Sequence, residues 1–199
     1  ALAARLQART GKPFVVENIT GGSTIPGALA VTRAAPDGHA LLLSSNSTFA
    51  INPHMQPNLP YDPLSDLAPV TLVGTTPNWV VMRADRPEAD AKDFVRLIRS
   101  QPGKVSIGVN AAGGTTHLAL EAWKKSSGLD FTVVPYRGSP PAFGDLMGAN
   151  LTAMVDVVGS TMPHVQAGKL QSIGVLQPKR SSFAPDVPTF AEVGVNGIE

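Results

Sequence analysis

Ser106-Ile107-Gly108-Val109-Asn110-Ala111-Ala112-Gly113-Gly114-Thr115-Thr116-His117-Leu118 is an apolar strand that passes through small residues straight into a helix. Val105 to Val109 has strand composition, and Leu118, Ala119, Ala122 and Trp123 recur at helical spacing, so the pattern predicts a strand-turn-helix unit of a parallel sheet. Gly113 and Gly114 let backbone come close to a ligand, and Thr115 or Thr116 is expected to cap the helix with its hydroxyl. The first amides of a helix lack acceptors inside it, so this turn is a seat for a carboxylate or phosphate.

Outward from this unit, strands and helices alternate, which implies a mostly parallel α/β architecture. Upstream, the pattern predicts a helix from Leu2 to Thr10, strands at Phe14–Glu17 and Ala40–Leu43, and between them a Gly-, Ser- and Thr-rich loop at Thr20–Gly27 entering a helix that runs to about Ala35. Ser44 to Thr48 forms a second polar elbow. Asn52–Pro63, with prolines at 53, 57, 60 and 63, reads as an irregular surface loop, followed by strands near Val70–Val73 and Trp79–Met82. A linker at Asp85–Asp90 opens a fresh series: helix Lys92–Ser100, strand Val105–Val109, helix Thr116–Ser126, strand Phe131–Val134, helix Pro140–Met147, strand Leu151–Val155, helix Met162–Ala167 and strand Ser172–Leu176. Extended crossings near Val80–Arg83 and Gly174–Gln177 imply two lobes joined by a hinge: residues 1–82 with 176–199 as lobe 1, and 83–175 as an inserted lobe 2. Both ends read as cut, since the chain opens inside a helical pattern without methionine and stops soon after a short helix at Phe190–Gly194.

Composition narrows the function classes. With 43% hydrophobic residues the 199-residue chain can bury a core, and 16 basic against 15 acidic side chains leave a formal charge of +1. No field of either sign draws it to nucleic acid or an anionic membrane. The absence of cysteine removes thiolate chemistry and thiol-based metal sites. No apolar run reaches the roughly 20 residues that span a bilayer, and no export signal lies in this chain.

A succession of short motifs then carries a resemblance. They are Pro13-Phe14-Val15-Val16-Glu17-Asn18, Ala34-Ala35-Pro36-Asp37-Gly38-His39-Ala40-Leu41-Leu42-Leu43, and Asn52-Pro53 followed by Leu59-Pro60-Tyr61-Asp62-Pro63-Leu64-Ser65-Asp66-Leu67-Ala68-Pro69-Val70. After them come Gln101-Pro102-Gly103-Lys104, Gly114-Thr115-Thr116-His117-Leu118, Val134-Pro135-Tyr136-Arg137-Gly138, Pro163-His164-Val165-Gln166-Ala167-Gly168-Lys169-Leu170 and Asp186-Val187-Pro188-Thr189-Phe190-Ala191-Glu192-Val193-Gly194. In this order they resemble the substrate-binding proteins of tripartite tricarboxylate transporters, the Bug-type solute receptors of bacterial periplasms. The resemblance implies a clamshell of the type II periplasmic binding protein kind, with two α/β lobes that close on a small carboxylate and deliver it to membrane permease subunits. It also implies a periplasmic, monomeric protein that is itself neither an enzyme nor membrane-inserted and carries no cofactor. The ligand class left open is a mono-, di- or tricarboxylate, including acidic amino acids and aromatic acids. Family members usually start with a strand and a Pro-Gly-Gly-like loop before the helix found here at the start, and continue past the position of Glu199. Where they carry an Arg-Pro-Gly-Ala-Gly-Gly-Asn-like run, this chain has Ile19-Thr20-Gly21-Gly22-Ser23-Thr24-Ile25-Pro26-Gly27, so Thr20, Ser23 and Thr24 replace it as candidate hydroxyl donors.

In an open α/β sheet, ligands sit outside the carboxyl ends of the strands. The candidate ligand residues are accordingly Thr20, Ser23, Thr24, Ser45, Asn46, Ser47, Asn110, Gly113, Gly114, Thr115, Thr116, Arg137, Gly138 and Asp156. Arg137 either pairs with a second carboxylate or packs along Tyr136 at the surface. Asp156 either orients an ammonium or hydroxyl group of the ligand or caps the following helix. His39, His54, His117 and His164 are scattered without metal-ligand spacing, and His117 is expected to fix the loop before it through a hydrogen bond. Trp79 and Trp123 are expected in the core. The Ser44–Thr48 elbow lacks the Gly-x-Ser-x-Gly pattern, and Gly113–Thr116 lacks a P-loop lysine, which argues against hydrolase and nucleotide chemistry. The readings set against a receptor are a ligand-sensing domain of a signalling or transcription protein, and a hydrolase or transferase using Ser47.

Overall fold

The computed structural model describes residues 1–198; Glu199, the last residue of the expected first lobe, lies outside the described residues. The chain forms two compact units, residues 1–69 and 70–199.

The second unit is a five-stranded sheet in the order β3-β2-β4-β1-β5, with β1 at Asn78–Arg83, β2 at Ser106–Val109, β3 at Thr132–Pro135, β4 at Ala153–Val157 and β5 at Leu170–Val175. β2 runs parallel to β3 and to β4, whereas β1 lies antiparallel between β4 and β5. Alternation along β1 decides which face each side chain joins. Val80 and Met82 enter one core with Phe94, Ile98, Ile107, Val109, Leu120 and Trp123, and Trp79 and Val81 enter another with Leu146, Met154, Val158 and Leu170. The first core is built with the helices Ala91–Ser100 and Thr115–Ser127, the second with Ser139–Met147 and Val158–Gln166, so the sheet is covered on both faces. Both tryptophans are core residues as expected, and the Trp79 indole donates to Thr161 Oγ1 at 2.6 Å, which satisfies its buried N–H. A side chain at Gly108 inside β2 would force Leu151 to move, because a Cβ there would lie 2.6 Å from Leu151 Cδ1.

The helix Ala91–Ser100 starts directly after the expected linker, one residue before its expected start. Asp90 caps it by accepting from the Asp93 amide at 2.9 Å, while the Asp93 carboxylate accepts from the Ala89 amide. The helix expected at Met162–Ala167 begins at Val158, four residues earlier; Pro163 sits inside it rather than at its start. Residues 176–198 also pack in this unit. Val175 donates to the Pro188 carbonyl and accepts from the Phe190 amide, and the Phe190 ring meets Trp123 edge-on at 6.2 Å. Residues 70–82 and 176–198, which the sequence assigned to a first lobe, are thus held here with residues 83–175, and the lobe boundaries stand as a proposal for the longer receptors the chain resembles.

The first unit contains helices Leu2–Thr10, Ile25–Thr32 and Asn52–Met55, with a π-helical turn at Ser47–Ile51. The strands expected at 14–17 and 40–43, and at 70–73 in the other unit, are not formed, and most of their large apolar side chains stand exposed, Val15 at 85% and Leu72 at 79%. A strand needs a ladder partner for its amides and carbonyls, and none of these runs has one among the described residues. The expected surface loop at 52–63 is instead partly internal. Pro53 opens a short helix, and Asn52 and Tyr61 are buried.

Candidate functional site

The carboxyl ends of β2, β3 and β4 lie side by side because these strands are parallel neighbours, and their hydrogen bonds converge on Asn110. Its backbone carbonyl accepts from the Gly138 amide at 2.9 Å, tying the β2 turn to the β3 turn. Its side-chain Nδ2 donates to Asp156 Oδ1 at 2.9 Å, tying it to the end of β4. Asn110, Gly138 and Asp156 are thereby brought together.

Asp156 is fully buried, and its carboxylate is occupied by protein donors. Besides Asn110, Oδ1 accepts from the Val157 amide at 2.8 Å and Oδ2 accepts from Ser160 Oγ at 2.8 Å. It does not cap the following helix, whose N-cap is Val157 without a side-chain bond. Ser160, four residues after Asp156 and on the first turn of the helix, is the partner that closes this strand-end elbow.

The helix after β2 starts differently from the expectation. Its N-cap is Gly114, with no side-chain cap, while Thr115 and Thr116 already occupy the first two helical positions. Thr115 is exposed and Thr116 is buried, and the amides of 115–117 precede the first intrahelical bond, from Leu118 to the Gly114 carbonyl. His117 holds the preceding loop as expected, since its Nδ1 accepts from the Gly113 amide at 2.9 Å. That bond commits the Gly113 N–H to the protein, and the Gly114 N–H is turned back to the Ala111 carbonyl at 3.4 Å. At the β3 turn Arg137 is exposed. Tyr136 donates to Asp145 Oδ2 at 2.6 Å; partial burial pushes the phenol up to about 12, with the Asp145 bond adding to it, while that bond and one from Asn150 draw the Asp145 carboxyl below its ordinary range.

In the first unit, the residues of the other expected elbows form their own network. Thr24 Oγ1 donates to the Ser23 carbonyl, so Thr48 donates to Thr24 at 2.7 Å and Ser44 to Thr48 at 2.5 Å. Ser23 and Thr24 have left-handed backbone, with φ of 52° and 72°. The buried Asn52 side chain holds this conformation by donating to the Ser23 carbonyl at 2.8 Å, and Tyr61 braces the far side by donating to the Thr48 carbonyl at 2.8 Å. Thr20, Ser23, Ser45 and Asn46 are exposed and Ser47 is half-buried in the π-helical turn. Asn52 and Tyr61 were missed because a proline-rich run looks external in sequence.

An indentation of about 100 Å³ lined by Arg83, Arg86 and Thr152 lies at the opposite edge of the sheet, where β1 ends. Arg83 is paired with Asp85 and Arg86 with Glu88, so its cations are already matched.

Compared with known proteins, residues 1–199 match the profile of the tripartite tricarboxylate transporter family receptor. The chain belongs to this family. It is 35% identical over 195 residues to Protein BugT of Bordetella pertussis, covering 97% of this chain and 60% of BugT. Among solved receptors, an R. palustris protein with adipate matches with a TM-score of 0.89 at 31% identity, over 98% of this chain and 66% of that one. MatC from Rhodopseudomonas palustris with bound malate matches with a TM-score of 0.81 at 27% identity, over 100% of this chain and 67% of MatC. The chain therefore spans about 60% of the curated relatives' length. The fold class read from sequence, the α/β architecture of these receptors, is shown by the same matches. Family members are periplasmic solute receptors rather than enzymes, and no helix among the described residues is long and apolar enough to cross a membrane.

Proposed function

We propose that this protein is a periplasmic receptor that captures a small carboxylate and delivers it to the permease subunits of a tripartite tricarboxylate transporter, acting as a monomer without catalysis. The observation that carries the reading is the joining of three parallel strand ends at the start of the helix Thr115–Ser127, in a chain that matches the receptor family from end to end. The helix start offers amide donors and a partial positive charge to an anion. The relatives solved with adipate and malate support a carboxylate as the ligand. With the Gly113 and Gly114 amides turned inward, the contacts proposed within the second unit are the first helical turn and Arg137.

The test is a thermal-shift screen of the full-length protein against mono-, di- and tricarboxylates, with Thr115→Pro alongside. Proline at the first helical position removes one N–H while its φ suits the helix, and Gly114, at φ −76° and ψ 171°, already has the extended backbone that a following proline requires. A ligand at a hundredfold excess over its Kd adds about 2.7 kcal/mol of stability. The expected result is a selective shift in the parent and a lost shift in a Thr115→Pro protein that still unfolds cooperatively. A folded parent that no carboxylate stabilises would overturn the reading.

A further inference from the structure

The Asn110–Asp156 pair has a consequence for which carboxylates the elbow accepts. An aspartate carboxylate only accepts hydrogen bonds, so the Asn110 carboxamide meets it through Nδ2, at 2.9 Å. Because the carboxamide is planar and has one N and one O end, this turns Oδ1, its acceptor, to the other side. The orientation is held firmly. Asp156 is fully buried and anchored by the Val157 amide and the Ser160 hydroxyl, and the Asn110 backbone is anchored by Gly138. Asn110 itself is half-exposed at the carboxyl edge of the sheet, one residue before the turn that leads into the helix Thr115–Ser127. A seat otherwise made of amide and hydroxyl donors thus contains one fixed acceptor.

We infer that Asp156 is a positioning residue that locks the Asn110 carboxamide with its oxygen toward the ligand, so that the receptor selects carboxylates bearing a hydrogen-bond donor, a hydroxyl or an ammonium group, beside the acid group. The inference rests on the receptor reading above. A ligand carrying the donor satisfies Asn110 Oδ1. An unsubstituted diacid removes water from that oxygen and returns nothing, and discrimination of this kind, where a site's polar group is left unpaired, is larger than that from a lost methylene.

The experiment is isothermal titration of the full-length protein with matched sets: succinate, malate and aspartate; glutarate, 2-hydroxyglutarate and glutamate; adipate and 2-aminoadipate. For the skeleton that binds best, the substituted acid is expected to bind at least about tenfold more tightly than the plain one. Asn110→Leu, which removes the acceptor, brings that ratio below about threefold. Asp156→Ala frees the carboxamide to turn and lowers the ratio likewise. Asp156→Asn retains it, because the new side-chain oxygen still accepts from Asn110 Nδ2 and the Val157 amide while its NH₂ donates to Ser160 Oγ. A purely structural role for Asp156 would lower melting temperature and leave the ratio unchanged. Parent protein that binds plain and substituted acids equally overturns the inference and leaves the receptor reading standing, whether or not the variants fold. Parent protein that binds no carboxylate overturns both.

Discussion

In the second unit each apolar run from Trp79 onward that the sequence marked as a strand has found a neighbour, whereas in the first unit the runs Phe14–Glu17 and Ala40–Leu43 have not. The two kinds of run are equally apolar. What separates them is pairing: β1 has β4 on one side and β5 on the other, while Val15, Leu41 and Leu43 face solvent. Strand composition describes a surface that fits a sheet, and becomes a strand only where other backbone meets its hydrogen-bonding edges. The first unit holds itself together by a polar network around Thr48, Asn52 and Tyr61, the second by two apolar layers.

This contrast makes the units respond differently to mutation. Trp123→Ala removes a ring packed against Phe131 at 5.5 Å and Phe190 at 6.2 Å and is expected to destabilise the second unit by about 3–5 kcal/mol, read as a lower urea midpoint. A loss under about 1 kcal/mol would show that the apolar layer does not govern that unit. Asn52→Ala leaves the left-handed Ser23 and Thr24 without their brace and removes the donor to Tyr61, at an expected cost of about 1–3 kcal/mol, with faster proteolysis at residues 20–24. Resistance to cleavage equal to the parent's would mean that the loop holds its own shape.

A smaller effect is expected at Asp145, with a defined pH dependence. Its folded carboxyl titrates below the ordinary 3.8, through the Tyr136 bond first and the Asn150 bond second, so its contribution is present above the unfolded value and fades as pH falls through the folded one. Asp145→Asn should therefore lower the melting temperature near neutral pH and converge with the parent in strong acid; a difference that persists unchanged there would assign the effect to packing. The smallest effect is expected in the unpaired run. Val15→Ser should alter stability by no more than about 0.5 kcal/mol, and a clearly larger loss would show that this run is covered by a partner.

Legibility followed the same division. The stretch 106–118 announced its strand, turn and helix because apolar periodicity switches there from two to 3.6 residues across glycines, and the helices at 91–100, 115–127 and 139–147 stand within about two residues of their expected bounds. The Gly113–His117 bond could be anticipated, since four residues separate a loop amide from an imidazole on the first helical turn. The Asn110–Asp156 pair could not, because 46 residues lie between its members and only adjacent parallel strands bring them together. Neither could the turning of the Gly114 amide to the Ala111 carbonyl, nor the burial of Thr116, which depend on how the turn packs rather than on its composition.

The sequence by itself determined the α/β class and, through motifs spread over the whole chain, the receptor family. These are properties of local periodicity and of short motifs in order, which need no knowledge of distant contacts. Tertiary structure alone decided which apolar runs became strands, that residues 70–82 and 176–198 pack with the second unit, and that Asp156 binds Asn110, Val157 and Ser160. Hydrogen-bond partners far apart in the chain are chosen by packing, and a buried carboxylate takes whichever donors the fold sets around it.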